Sequence, residues 1–270
     1  MLGKLIKHEF KATWKMVALM NIFLLVLTAL GVLSFAFKFW NVDNDIMMAF
    51  GILSLVFYYL SILVISIAVC IYVAIRFYKT LYSDEGYLTN TLPVTNHQLL
   101  ISKILVGSIY ELVTSLVIIV SVLALFFSLV MQFDAATISE IQSVINEVTL
   151  TLNSQIHISL PVLIIECIVF FILSCISSII TFFGAISLGQ LYQKHKVLGS
   201  IIAYFAIVTV IQIISTIISI PTMVYASVAN ANTAMVSMGA FWFTTILTVI
   251  VSIVLYITSA YIMKNKLNLD

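Results

Sequence analysis

Charged residues are scarce in this chain. Asp, Glu, Lys and Arg together make up 9% of the 270 residues, whereas hydrophobic residues make up 63%. Soluble globular domains carry about 25% charged and about 45–50% apolar residues. A water-soluble fold of this length could not hide so much apolar surface. The composition therefore excludes a soluble globular protein and indicates one whose solvent is lipid.

Arginine is almost absent, and cysteine is rare. Arg76 is the only arginine among twelve basic residues, which argues against a nucleic-acid-binding surface, because such surfaces tend to use arginine forks. The three cysteines, Cys70, Cys167 and Cys175, all lie inside apolar runs. Cys167 and Cys175 are separated by about 12 Å along one helix, too far for a disulfide. We interpret all three as small core residues.

Sequence motifs for common enzyme chemistries are also missing. The chain contains no GxxxxGK[ST] phosphate-binding loop, no HExxH and no GxSxG, and its four histidines form no cluster with other ligand residues in sequence. The sequence therefore predicts a protein that is not an enzyme. It predicts no catalytic residue, no metal site and no cofactor bound by this chain.

Six long apolar stretches make up most of what is present. Each meets or exceeds the about 20 residues that a helix needs to cross about 30 Å of hydrocarbon. The predicted fold class is all-α: a polytopic membrane protein with six transmembrane helices in a single domain over residues 1–270. The first stretch is longer than a signal-peptide core, so we expect it to remain as a helix. The predicted spans are 16–39, 47–75, 104–131, 159–187, 198–220 and 239–262.

Three further segments lie before or between these spans. Residues 1–15 place apolar side chains on one face and lysines on the rest, which predicts an N-terminal interfacial amphipathic helix in contact with membrane lipid, or else a basic flank of the first span. Residues 134–153 carry an isoleucine-rich stripe of 3-4-3-4 spacing, which predicts a helix on the membrane, on the protein's own helices or on a partner. The uncharged segment 222–238 favours either a re-entrant hairpin or a plain outer loop.

The basic residues predict the orientation in the membrane. Eleven of the twelve lie in the N-terminal segment, the 76–103 and 188–197 loops and the C-terminal tail, whereas Lys38 alone lies on the other side. Basic residues concentrate in cytoplasmic segments. We therefore expect both termini and the 76–103 loop to be cytoplasmic.

Two carboxylates, Glu111 and Glu166, remain inside the predicted spans. A charge within hydrocarbon is costly, so each is expected to face other helices and to have a partner or to be protonated. The pattern allows a substrate or proton site, or a polar clamp to Ser or Tyr on a neighbouring helix. Small residues at a four-residue spacing, such as Ala185 and Gly189, indicate close helix packing inside the protein or between two copies.

The 76–103 loop has the most informative pattern. It contains Asp84-Glu-Gly-Tyr-Leu-Thr-Asn-Thr-Leu-Pro-Val-Thr95, followed by Gln98-Leu-Leu-Ile-Ser-Lys103. Residues 84–86 suit a turn, and residues 87–92 suit a short helix that ends at Pro93. Thr95 and Gln98 suit a capping box that opens the third span. A short cytoplasmic helix with exposed apolar residues should bind a partner or fold back on the membrane surface.

This run and the N-terminal Met1-Leu-Gly-Lys-Leu-Ile-Lys-His-Glu-Phe-Lys-Ala-Thr-Trp14 resemble the permease subunits of bacterial ABC transporters of the type-2 exporter family. In that family, D-E-G-Y-L-x-x-T-L-P-[VI]-[ST] precedes a helix that opens with Leu and Ser-Lys. Asn90 departs from the pattern, since an aromatic or aliphatic residue is expected there.

The resemblance implies an exporter permease of the bacterial cell membrane. Its partners would be a separate ATP-binding subunit, which carries the ATP and Mg²⁺, and a second permease subunit, identical or homologous. A short coupling helix would contact the ATPase, and Glu9 and Phe10 would form a second contact. The residues of the first contact would be Asp84, Glu85, Gly86, Tyr87, Leu88, Thr91, Leu92 and Pro93.

Two other functions are compatible with the sequence. A secondary transporter driven by an ion gradient would use Glu111 or Glu166 as its proton site, although the two halves of the chain show no convincing internal repeat. A membrane scaffold or sensor that transports nothing is the other alternative.

Overall fold

The computed structural model describes residues 2–37, 45–83, 86, 94–133, 135–156, 160–192, 195–228 and 233–265. In these ranges the fold is entirely helical, with seven α-helices and no strand. The helices are α1 (Leu2–Ala36), α2 (Asp45–Tyr82), α3 (Asn96–Val130), α4 (Ala135–Ile156), α5 (Leu160–Gly189), α6 (Lys196–Val228) and α7 (Thr233–Asn265).

Six of these helices, all except α4, are long and apolar enough to cross a membrane. The predicted all-α fold class is thereby confirmed, and the chain is a multi-pass membrane protein. The amphipathic segment predicted over 134–153 is helical as α4. Ile138 and Ile145 on its apolar stripe are exposed within the chain.

The helices extend beyond most of the predicted spans. α1 is one helix from Leu2 to Ala36, so the predicted interfacial helix is the first part of the first span and no separate element. α2 continues to Tyr82 and α3 begins at Asn96, so much of the predicted 76–103 loop is helical. Hydropathy marks the part of a helix that suits hydrocarbon, whereas the backbone hydrogen bonds and the caps decide where the helix ends.

The described part of the segment 222–238 is helical, so it is not a plain outer loop, whereas the hairpin stays a prediction. α6 continues through it to Val228 and α7 begins at Thr233, which leaves residues 229–232 outside the described ranges. Pro221 lies inside α6 and lacks a backbone N–H, so one helical hydrogen bond is lost there. The adjacent Thr222 hydroxyl is placed to donate to the Ile218 and Ser219 carbonyls, at 3.1 and 2.9 Å.

Contacts within the chain group it into two units. The first unit comprises residues 3–73 and 106–145, and the second comprises residues 1–2, 74–105 and 146–270. In the first unit α1 and α3 run in the same direction, since Thr13 meets Tyr110 and the later Gly31 meets Leu125. α2 runs in the opposite direction. The single domain expected over 1–270 stays a prediction.

The second unit is built on α5, α6 and α7. α5 and α6 are antiparallel neighbours, and Gly189 at the end of α5 lies directly against Ser200 near the start of α6. α5 and α7 run in the same direction, with Phe170 beside Phe241 and Gly184 beside Leu255. The small residue Gly189 therefore serves packing inside the protein.

Candidate functional site

The predicted ATPase contact falls mainly outside the described part of the chain. Gly86 is its one described residue; it is buried, and its N–H donates to the Ser83 carbonyl at 2.7 Å. The short coupling helix over 87–92 therefore stays a prediction. The remaining residues of the predicted contact lie outside the described ranges: Asp84, Glu85, Tyr87, Leu88, Thr91, Leu92 and Pro93.

The end of α2, which leads into this segment, is fixed to α5. The Phe77 ring stacks on Phe183, with centroids 3.8 Å apart and planes 7° apart. Five residues later the Tyr82 hydroxyl donates to Ser187 Oγ at 2.9 Å, and Ser187 in turn donates to the Phe183 carbonyl. Phe77 and Ser187 are almost fully buried. Aromatic stacking and a chain of hydrogen bonds therefore hold the last two turns of α2 against α5.

The start of α3, which follows the segment, carries the Thr95 half of the predicted capping box. The Gln98 N–H donates to Thr95 Oγ1 at 3.3 Å, which confirms Thr95 as the N-cap. The first turn of α3 is also fixed to α7. The Asn96 carboxamide donates to the Met263 carbonyl at 3.5 Å, and His97 Nδ1 lies 3.1 Å from the Tyr256 hydroxyl.

Lys103 connects the two helix ends to each other. Its side chain is 5% exposed, and its Nζ donates to Thr80 Oγ1 on α2 at 2.6 Å. A buried ammonium group is costly without such partners, so its position is well defined by the groups around it. Both ends of the segment 83–95 are thus anchored in the second unit, by α5 on one side and by α7 on the other.

The second predicted contact, Glu9 and Phe10, lies in the first unit. The Phe10 ring stacks on Tyr110 at 5.2 Å, and the Tyr110 hydroxyl donates to the Phe10 carbonyl at 2.9 Å. The Thr13 hydroxyl donates to the Glu9 carbonyl at 2.8 Å. Phe10 nevertheless keeps 41% of its surface exposed. One face of its ring stacks on Tyr110, and the other part of the ring is exposed.

The two membrane carboxylates differ in their surroundings. Both are half-buried, but they belong to different units. The Cys70 thiol donates to Glu111 Oε2 at 3.1 Å, so the partner of Glu111 is a thiol and not the expected Ser or Tyr. Glu166 makes no hydrogen bond or ion pair with the residues that the structure describes. Glu111 therefore fits a polar clamp, whereas the expected partner of Glu166 is not found in these ranges.

Two carboxamides inside apolar runs, Asn21 and Gln212, were not among the predicted polar residues of the membrane spans. Asn21 is buried and donates to Thr114 Oγ1 at 3.2 Å, while its Oδ1 finds no partner in the described ranges. Gln212 on α6 is exposed. The signal that could have found them is an amide side chain at the middle of an apolar run, where hydrocarbon offers no hydrogen bonds.

Comparisons with known proteins return no match. No family model, no curated protein and no solved structure matches the chain. Among the described residues, no group of three or more His, Cys, Asp or Glu side chains could hold a metal ion.

Proposed function

We propose that this chain is the membrane-spanning permease subunit of an ABC exporter, driven by a separate ATPase subunit. Six helices suited to cross a membrane and the resemblance of residues 84–95 and 1–14 support this proposal. The observation that carries it is the anchoring of the segment 83–95, whose two ends are held by side chains on α5 and α7.

Such anchoring is what a coupling element requires. ATP hydrolysis on a soluble subunit moves a membrane helix only through a rigid contact. The pairs Phe77–Phe183 and Tyr82–Ser187 join the end of α2 to α5, and His97–Tyr256 joins the start of α3 to α7. A displacement of the segment between them would therefore act on α5, on α7 and on the ends of α2 and α3 that belong to the second unit.

The proposal gives a role to four of the predicted contact residues. Tyr87, Leu88 and Leu92 would supply the apolar contact with the ATPase, and the exposed part of the Phe10 ring would supply the second contact. A few large side chains at the centre of an interface can each contribute about 2 kcal/mol or more to binding. The substrate path would be enclosed by two permease subunits.

The test is purification of the tagged chain from native membranes, followed by identification of the proteins that accompany it. We expect an ATP-binding subunit in wild type. The double variant Tyr87→Ala/Leu88→Ala should remain in the membrane but lose that subunit, or retain it with hydrolysis uncoupled from transport.

The chain offers a matched control with the same pair of residue types. Tyr59 and Leu60 on α2 are 68% and 51% exposed, and Tyr59→Ala/Leu60→Ala removes the same atoms away from the segment 83–95. This variant should keep the ATPase. Normal copurification and normal activity of the Tyr87/Leu88 variant would contradict the proposed coupling contact.

A further inference from the structure

α6 is the least covered of the membrane-spanning helices. None of the residues in its apolar part is buried inside the chain, whereas 17–33% of the residues are buried in the apolar parts of the other five. α6 contacts α5 and α7, which leaves most of its circumference open. α6 therefore exposes more of its surface than any of the other five helices.

One face of this surface forms a continuous stripe, which we call the α6 stripe. Its residues follow one another at intervals of three or four, the spacing by which one helix lies along another. All of them are exposed except Thr216, which is half-buried. The stripe consists of Ile202, Phe205, Thr209, Gln212, Thr216, Ile220 and Met223.

Gln212 is the middle residue of α6 and of the stripe. At about 1.5 Å per residue it lies about 24 Å from either end of the helix, at the depth where hydrocarbon offers no hydrogen bonds. The neighbouring Thr216 hydroxyl is satisfied by the Gln212 backbone carbonyl at 2.7 Å. The Gln212 carboxamide makes no hydrogen bond within the described ranges, unlike Asn21, which is buried and donates to Thr114.

We infer that the α6 stripe binds a second copy of this chain, with the two Gln212 side chains hydrogen-bonded to each other. A carboxamide has both donors and an acceptor, so it is complementary to its own copy across a two-fold axis. Gln212 is the one carboxamide of the stripe, whose other polar side chains are the hydroxyls of Thr209 and Thr216. A single carboxamide at a helix interface can fix the register of the two helices. The inference rests on the proposed function only in its requirement for two permease subunits, and it commits to identical ones.

The test is cross-linking in membranes, with Cys70, Cys167 and Cys175 replaced by Ala. Thr209→Cys puts a thiol on the α6 stripe and keeps Gln212. Val210→Cys is the matched control, because Val210 is 54% exposed and lies on another face of the same helix. Mild oxidation should give a disulfide-linked dimer for Thr209→Cys and none for Val210→Cys.

Adding Gln212→Leu to the Thr209→Cys chain tests the amide itself. Loss of one polar contact between membrane helices should weaken self-association about threefold, seen as less dimer at equal protein density in the membrane. Gln212→Asn keeps a carboxamide and should retain more dimer than Gln212→Leu.

Three results would overturn the inference. Equal cross-linking at 209 and 210 would indicate random collision. Labelling of position 209 by a water-soluble maleimide, without cross-linking, would show that the stripe lines a water-filled path. Neither reaction at 209 would show that lipid covers it. The measurement uses the chain without an ATPase, so these results are independent of the copurification test.

Discussion

At the scale of single residues, the surroundings of Glu111 favour a structural role. Its carboxylate accepts a hydrogen bond from the Cys70 thiol across two helices of the first unit. Tyr58 and Ser121 join the same two helices further along, at 2.9 Å. A proton site for transport would need access and freedom to change partners, whereas Glu111 belongs to a series of side-chain contacts that align α2 with α3.

We therefore expect Glu111→Gln to keep the function of the complex, because an amide oxygen still accepts from the thiol. Cys70→Ala should lower the stability by about 0.6 kcal/mol, the average for polar contacts between membrane helices. Thermal unfolding in detergent measures this, with Cys167→Ala as a control at an exposed cysteine.

A different result would favour the secondary transporter. If the purified chain in vesicles moved protons along an imposed gradient, and Glu111→Gln abolished that flux, then the clamp interpretation would be wrong.

At the scale of elements, the hairpin of α5 and α6 depends on a close approach at Gly189. A Cβ at this position would overlap the Ser200 hydroxyl and its backbone nitrogen, which cannot move aside easily. Gly199 is also tightly packed, though less so, since its added Cβ would meet the Tyr192 Cβ at 2.9 Å and the Gly189 carbonyl at 3.0 Å. The absence of side chains at both positions lets the two helix ends touch.

Gly189→Ala should accordingly cost about 1–3 kcal/mol, as overpacking does in well-packed interiors. The control is Gly239→Ala in α7, where an added Cβ has nothing within 4 Å. Size-exclusion profiles after heating would show earlier loss of the folded species for Gly189→Ala alone. Equal thermal stability of the two variants would mean that the ends of α5 and α6 can move apart to accept the added Cβ without loss of stability.

The described helices could be predicted from the sequence, but most of their ends and their contacts with one another could not. An apolar run identifies a helix because a segment within hydrocarbon must satisfy its own backbone hydrogen bonds. The run does not show how far the helix continues beyond the apolar residues. The last turns of α2 are polar and aromatic, and they are helical because Tyr82 and Phe77 find Ser187 and Phe183 more than 100 residues away. No pattern in the sequence near Phe77 or Tyr82 predicts a contact with residues so far away. The Thr95 cap was predictable, because its signal lies within four residues.

The candidate site shows the same division. The positions of Glu111 and Glu166 within helices follow from hydropathy, but the thiol partner of Glu111 depends on the register between α2 and α3. Gln212 carries no charge, so a search for charged residues within the apolar runs does not find it. Its exposure becomes visible only when the packing of α6 against α5 and α7 is known.

At the scale of the whole molecule, the distribution of lysines predicts the sidedness of the protein. With the native cysteines replaced, Glu140→Cys and Asn230→Cys should react with an impermeant thiol reagent added to intact cells. Asn90→Cys should react only after the membrane is opened. These expectations follow from basic residues on the side of both termini and of the segment 83–95.

Labelling of position 90 in intact cells would show that the orientation is opposite to the predicted one. It would also rule out contact between the segment 83–95 and a cytoplasmic ATPase. A protein that reacts at all three positions would indicate a leaky or unfolded preparation, which a soluble cytoplasmic marker enzyme detects.

The anchoring of the segment 83–95 has a consequence for biosynthesis. Tyr82 and Ser187 are 105 residues apart in sequence, and Asn96 and Met263 are 167 apart. At about 5–20 residues per second, the ribosome needs about 5–20 s after Tyr82 to synthesise its partner. The chain therefore exposes this segment for seconds before its anchors exist. A nascent chain that ends before α5 would lack the partners of Tyr82 and Asn96. If binding of the proposed ATPase requires these anchors, it would occur only on the completed chain.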